Sequence, residues 1–172
     1  MKRLSCGLMV LLVGLVGLLM TPKIWATPNE VIYQNVSLNC ETIKLRLKQV
    51  QINDSLTRVN YGQAYESVIE KVLTPANTRL VANRYDASGL VTTTTQFNNG
   101  LQNFRSSYRS YKSKLDDLVL TDCKNNPIDF YRKLETVRSA RAGLGHQLEV
   151  LDGQIESYKK MIKEVIDDGR DS

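Results

Sequence analysis

In the second half of the chain, apolar and aromatic residues recur at alternating steps of four and three. Leu90, Phe97, Leu101, Phe104, Tyr108, Tyr111, Leu115 and Leu118 make one row, with Thr94 filling its gap. Phe130, Leu134, Val137, Leu144, Leu148, Leu151, Ile155, Tyr158, Ile162 and Val165 make a second, interrupted by Arg141. Such spacing returns to one side of an α-helix every two turns, so each row predicts a long helix packed in coiled-coil fashion. The helices are expected over about 88–120 and 127–167. Ser88 suits the N-cap of the first. Asn126 suits the N-cap of the second, with Pro127 at its first helical position and Asp129 in its first turn. The polar turn 121–126 between them is short, which makes the two neighbours antiparallel.

The preceding stretch is less regular. Ile43, Leu47, Val50, Tyr61, Tyr65, Val68, Val72, Ala76 and Leu80 form a stripe, with Asp54 and Thr57 in its intervening positions. It predicts a helix over about 38–84, kinked at Pro75, which removes one backbone bond and crowds the preceding turn. Ile52, Leu56, Val59, Ile69 and Leu73 fall off this stripe and are candidates for an outer apolar face. Residues 27–37 hold a proline and lack a helical period, so they read as a tether. Residues 169–172 read as a frayed tail.

The N-terminus carries a different pattern. Lys2 and Arg3 precede an uncharged run from Leu4 to Met20, and Ile24-Trp25-Ala26 offers a small-residue cleavage site. Residues 1–26 therefore read as a signal peptide or a retained signal anchor, and either places the rest of the chain outside the cytoplasm. Three of the 23 Lys and Arg lie in this leader, leaving 20 against 18 acidic residues, so the remainder is close to neutral at +2. The basic balance is a leader effect and gives no argument for a nucleic-acid partner. Outside the leader two cysteines remain, Cys40 and Cys123. In an exported chain such a pair predicts one disulfide closing a loop of about 84 residues, with a chain-entropy stabilisation of about 4–5 kcal/mol as an upper figure.

That bond selects a topology. If residues 38–84 folded back as two helices, residue 84 would return to the disulfide end. The helix starting near Ser88 must begin on the order of 45–50 Å away, and the linker 84–87 spans at most about 14 Å. The expectation is therefore an all-α fold: an antiparallel up-down-up three-helix coiled-coil-like bundle over 38–168, preceded by a signal peptide or signal anchor.

Candidate chemistry is sparse. Gly62 and Gly145 each lie 22 residues after Cys40 and Cys123, and Gly100 lies 23 before Cys123, so three mid-helix glycines fall near one level. Each costs about 1 kcal/mol relative to alanine. The layer reads either as close helix approach or as a binding waist comprising Tyr61, Gly62, Tyr65, Asn99, Gly100, Arg141, Gly145 and His146. Asp54 and Arg141 occupy stripe positions at neighbouring levels and are expected to pair in the interior, fixing register. His146 is the only histidine and has no ligand-like companions, so no metal site or cofactor is expected. The run Phe104–Lys114 mixes aromatics with bases, but its aromatics are stripe residues and its bases share an outer face. The serines lack a histidine–acid constellation, and an enzyme is not expected.

The stretch Thr57–Asn83, with NCETIK around Cys40, LTDC around Cys123 and PIDFYRKLE after it, resembles short exported helical proteins of candidate-phylum, reduced-genome bacteria, a group of uncharacterised role. The resemblance implies a surface or secreted protein and carries over no site residues. The expected function is an exported, non-enzymatic structural or protein-interaction bundle whose partner is another protein. The alternative is a small-molecule or peptide sensor using the waist. Membrane contact is expected only through residues 4–20, if these are retained.

Overall fold

The computed structural model describes residues 28–168. The leader, its cleavage site and the tail 169–172 lie outside the described residues. Those described are all-helical: α1 (Pro28–Leu38), α2 (Cys40–Val68), a π-helical segment (Ile69–Leu73), α3 (Thr74–Ala82), α4 (Ser88–Leu120) and α5 (Pro127–Asp168).

The segment read as a tether is helix α1. Pro28 sits at its first position, where a missing N–H is no loss. Ile32 and Val36 stand four residues apart and so share one face, with Val36 buried in the core and Ile32 packed against it. The axis breaks at Asn39, and α1 lies against α5 with Ser37 Oγ donating to the Lys124 carbonyl at 3.2 Å.

The expected helix over 38–84 is interrupted as well. Directly before Pro75 the bonding widens to i→i−5, with Thr74 N–H donating to the Ile69 carbonyl. The wider turn accommodates the proline ring and the carbonyl it strips of a donor. It also inserts one residue into the helical phase. As a result Leu73 and Asn77 face the core, while Val72 is 54 % exposed. Leu73, expected on the outer face, is buried, and Ile69 packs against the core.

α3 ends with Arg84 at φ 65°, the left-handed position glycine usually fills. Tyr85 N–H bonds to the Leu80 carbonyl and Arg84 N–H to that of Val81, which satisfies the helix's last acceptors. α4 begins at Ser88 itself, with Ala87 rather than Ser88 at the N-cap and no side-chain bond from that position; Asp86 before it accepts from the Ser88 N–H at 3.0 Å.

All eight apolar stripe residues of α4 are buried. The buried polar position of its first turns is Thr93, while Thr94 is half-buried and accepts from Asn77 at 2.8 Å. α5 divides its row in two. Phe130, Val137, Leu144, Leu151 and Tyr158, every seventh residue, are buried; Leu134, Leu148, Ile155 and Ile162 are half-buried. α4 and α5 run antiparallel, as shown by Gln147 on Ser107 (3.0 Å) and Lys133 on Asp117 (2.9 Å). The α2–α3 rod runs against α4 through Ser55–Tyr108 (3.3 Å) and Asn77–Thr94. Cys40 and Cys123 are disulfide-bonded with Cα atoms 5.5 Å apart, joining the start of α2 to the α4–α5 turn.

Candidate docking groove

α2 and α5 keep their Cα atoms more than 8 Å apart throughout. Long side chains cross the gap instead. Tyr65 on α2 donates to Asp152 on α5 at 2.7 Å, and Tyr158 on α5 donates to Asn77 on α3 at 2.8 Å. Tyr111 on α4 donates to Asp54 on α2 at 2.5 Å. Each of these phenols buries its ring and spends its hydroxyl on another helix, so it works as a clamp as well as a core residue.

Asp54 also receives both arms of Arg141, Nε to Oδ2 at 2.8 Å and Nη2 to Oδ1 at 2.9 Å. The pair is not interior as expected. The Asp54 side chain is 14 % exposed, but the Arg141 side chain over it is 58 % exposed. The reason is the width of the gap: the guanidinium bridges two separated helices from the solvent side. Burial raises the Asp54 pKa, but the hydrogen bonds from Arg141 and Tyr111 and the nearby positive charge outweigh it, leaving the carboxyl below its ordinary range. Burial, then the bond to Asp54, pushes the Tyr111 phenol up, and burial with Asp152 does the same to Tyr65.

The Asp54–Arg141 strut divides an apolar groove between α2 and α5, floored by α4. On one side lies a cleft of about 270 Å³ over Phe104, Tyr108 and Leu148, with the Arg58 guanidinium 5.3 Å from the centre of the Tyr108 ring. On the other lies a cleft of about 360 Å³ between Leu47, Val50, Leu134 and Val137, rimmed by Arg46 and Arg138.

Of the eight residues assigned to the waist, only Arg141 and Gly145 line the first cleft. Gly62 opens on a separate shallow depression beside Arg105. Tyr65 is buried against Phe97, ring centres 5.5 Å apart, and Tyr61 leans on Tyr65 from outside. Asn99 is exposed. His146 is exposed too, with Nδ1 3.6 Å from Glu149. Close approach accounts for one glycine only. A Cβ on Gly100 would stand 3.0 Å from Leu151 Cδ2, whereas one on Gly62 or Gly145 would meet nothing within 4 Å. Counting from the cysteines fixes a residue's height along the bundle but not the direction it faces, which is why the layer did not assemble into a single site. The groove residues missing from the sequence reading are Arg46, Arg58, Arg138 and the phenols of Tyr108 and Tyr111. Their one signal was tyrosine standing where leucine would serve a purely apolar stripe.

Among the described residues no group of three or more histidine, cysteine or acidic side chains could hold a metal ion. Compared with known proteins, the chain matches no family model, no curated protein and no solved structure.

Proposed function

We propose that the chain is an exported, disulfide-stapled, up-down-up three-helix bundle with no enzymatic role, which binds another protein along the outer face of α2. The observation that carries this reading is the exposure there of Leu45 (66 %), Ile52 (57 %), Leu56 (61 %) and Val59 (43 %). Four large apolar side chains on one helix face are costly to leave in water, and a contiguous apolar face marks an interaction site. The helix directions set by the interhelical bonds support the bundle order. The disulfide is consistent with a location outside the cytoplasm. Among the described residues no helix is long and apolar enough to cross a membrane, so attachment would fall to residues 4–20 if they are retained. Lysine cross-linking on intact cells, read by mass spectrometry, tests the reading. It should return a recurrent partner joined through Lys44 or Lys48, and the partner should be lost in Leu45→Asp. Recovery of random neighbours alone would remove the binding role. The same spectra report whether the N-terminus is Thr27.

A second reading has its own support in the cleft beside Arg141. There the chain would be an extracytoplasmic module that takes a small molecule or peptide, with aromatic walls for an apolar part and Arg58 and Arg141 for an acidic one. A ligand present at 100 times its Kd should stabilise the fold by about 2.7 kcal/mol, seen as a raised Tm that Arg141→Gln reduces.

A further inference from the structure

We propose that α2 docks against α2 of a second copy of this chain, side by side and in the same direction. This rests on the reading of the outer face as a docking surface and names its occupant.

The face has a finer pattern than scattered apolar exposure. Thr42, Leu45, Gln49, Ile52, Leu56, Val59 and Gln63 follow one another at steps of three and four without a break, and all seven are exposed. This is a heptad row. The inward positions of the same helix, Cys40, Leu47 and Asp54, are displaced from it by two residues. At 3.6 residues per turn that is about 200° around the axis, so the two rows lie on opposite sides. A face that only met water would have no reason to keep coiled-coil spacing. A helix with two such faces belongs to a larger helical assembly than one chain provides.

The polar members of the row identify the occupant. In a parallel pair of helices equivalent residues meet across the seam. Gln49 would meet Gln49 of the second copy, and Gln63 would meet Gln63. An amide carries both donors and an acceptor, so two identical amides satisfy each other. No charged residue lies in the row, so self-pairing forces no like charges together. The flanks agree. In a parallel pair the residue just before Thr42, Gln49 and Leu56 reaches the residue five further along in the partner, which brings Glu41 to Arg46 of the second copy, twice by symmetry. Neither Glu41 nor Arg46 has an ion-pair partner among the described residues. The remaining flank pairs, Lys48 with Asn53 and Ser55 with Asn60, place no like charges opposite each other.

The test uses the chain recovered from the extracytoplasmic fraction with its disulfide intact. Sedimentation over about 1–200 µM, the range where a helix pair with polar seam residues should associate, should show twice the chain mass at the upper end. Ile52→Asp should remain monomeric throughout while keeping the wild-type helical circular dichroism. Orientation is read from single cysteines in a Cys6→Ser background. Leu45→Cys and Val59→Cys should each form a disulfide-linked dimer with itself, because both meet their own copies only in a parallel pair. Linking at one position alone would overturn the parallel arrangement. A monomer at every concentration would overturn the second copy as occupant. If that monomer still captured a different protein on cells and lost it in Ile52→Asp, the docking reading of the face would stand; if it captured none, both would fall.

Discussion

The α4–α5 pair and the α2 rod solve the same packing problem in opposite ways. Between α4 and α5 the seam is closed by side chains with almost no exposure, among them Leu118 and Phe130 at 0 % and Leu115 and Leu151 at 1 %. α2 instead stands off from α5, and the space between them is crossed by the Tyr65 hydroxyl and the Arg141 guanidinium. Closed apolar seams owe their strength to area removed from water and to dense packing. The open seam owes its register to a few directed bonds, which contribute about 1 kcal/mol each and more where a charge takes part. The comparison teaches that most of the stability resides in the hairpin, while α2 is positioned and left available.

Substitutions should separate the two regimes. The largest effect is expected for Phe130→Ala at the base of the hairpin, a loss of about 3–5 kcal/mol in urea unfolding. Next is Cys123→Ser with Cys40→Ser, which should cost about 2–4 kcal/mol and act chiefly by freeing the rod from the hairpin in the unfolded chain. Tyr111→Phe, which removes the bond from α4 to the Asp54–Arg141 strut, should cost about 1–2 kcal/mol. It should also alter the acid limb of stability. Because the folded Asp54 carboxyl lies below its unfolded value, its contribution is present above about pH 4 and is lost as pH falls through the folded pKa. Without the phenol the folded value moves up toward the unfolded one, so the loss should be smaller and complete at a higher pH, as followed by Tm from pH 6 to pH 2. The smallest effects separate the glycines. Gly62→Ala and Gly145→Ala, with open space around them, should each stabilise by about 0.5–1 kcal/mol. Gly100→Ala, pressed on Leu151 inside the closed seam, should gain less or reverse sign.

The same contrast governs what could be read from sequence. The rows of α4 and α5 were legible because burial there follows the heptad directly. The α2–α3 rod was legible in part: Ile43, Leu47, Val50, Tyr65, Val68, Ala76 and Leu80 meet the core as the stripe predicts, while Tyr61 and Val72 are exposed. Leu73 and Asn77 turned inward as well because the π segment adds a residue to the phase, and periodicity counted through Pro75 carries no sign of that insertion. Asp54 and Arg141 could be matched by height, since the disulfide sets a common origin. Their half-open setting could not, since nothing in the spacing tells how far apart two helices stand. The α1 helix was hidden by its brevity: Ile32 and Val36 make a single i, i+4 step, too little to outweigh a proline.

The position of the disulfide has a mechanical consequence. Residues 40–123 form a covalent ring containing α2, α3 and α4, and the two remaining helices leave it from the bonded pair itself, α1 from Cys40 and α5 from Cys123. Tension applied between residues 28 and 168 therefore passes through the sulfur bridge and bypasses the ring. Stretching the oxidised molecule should release only the two arms, a contour of about 190–205 Å, and a reductant should add about 270–300 Å more. A force on both ends would therefore unwind α1 and α5 while segment 40–123, with α2 in it, carried no load.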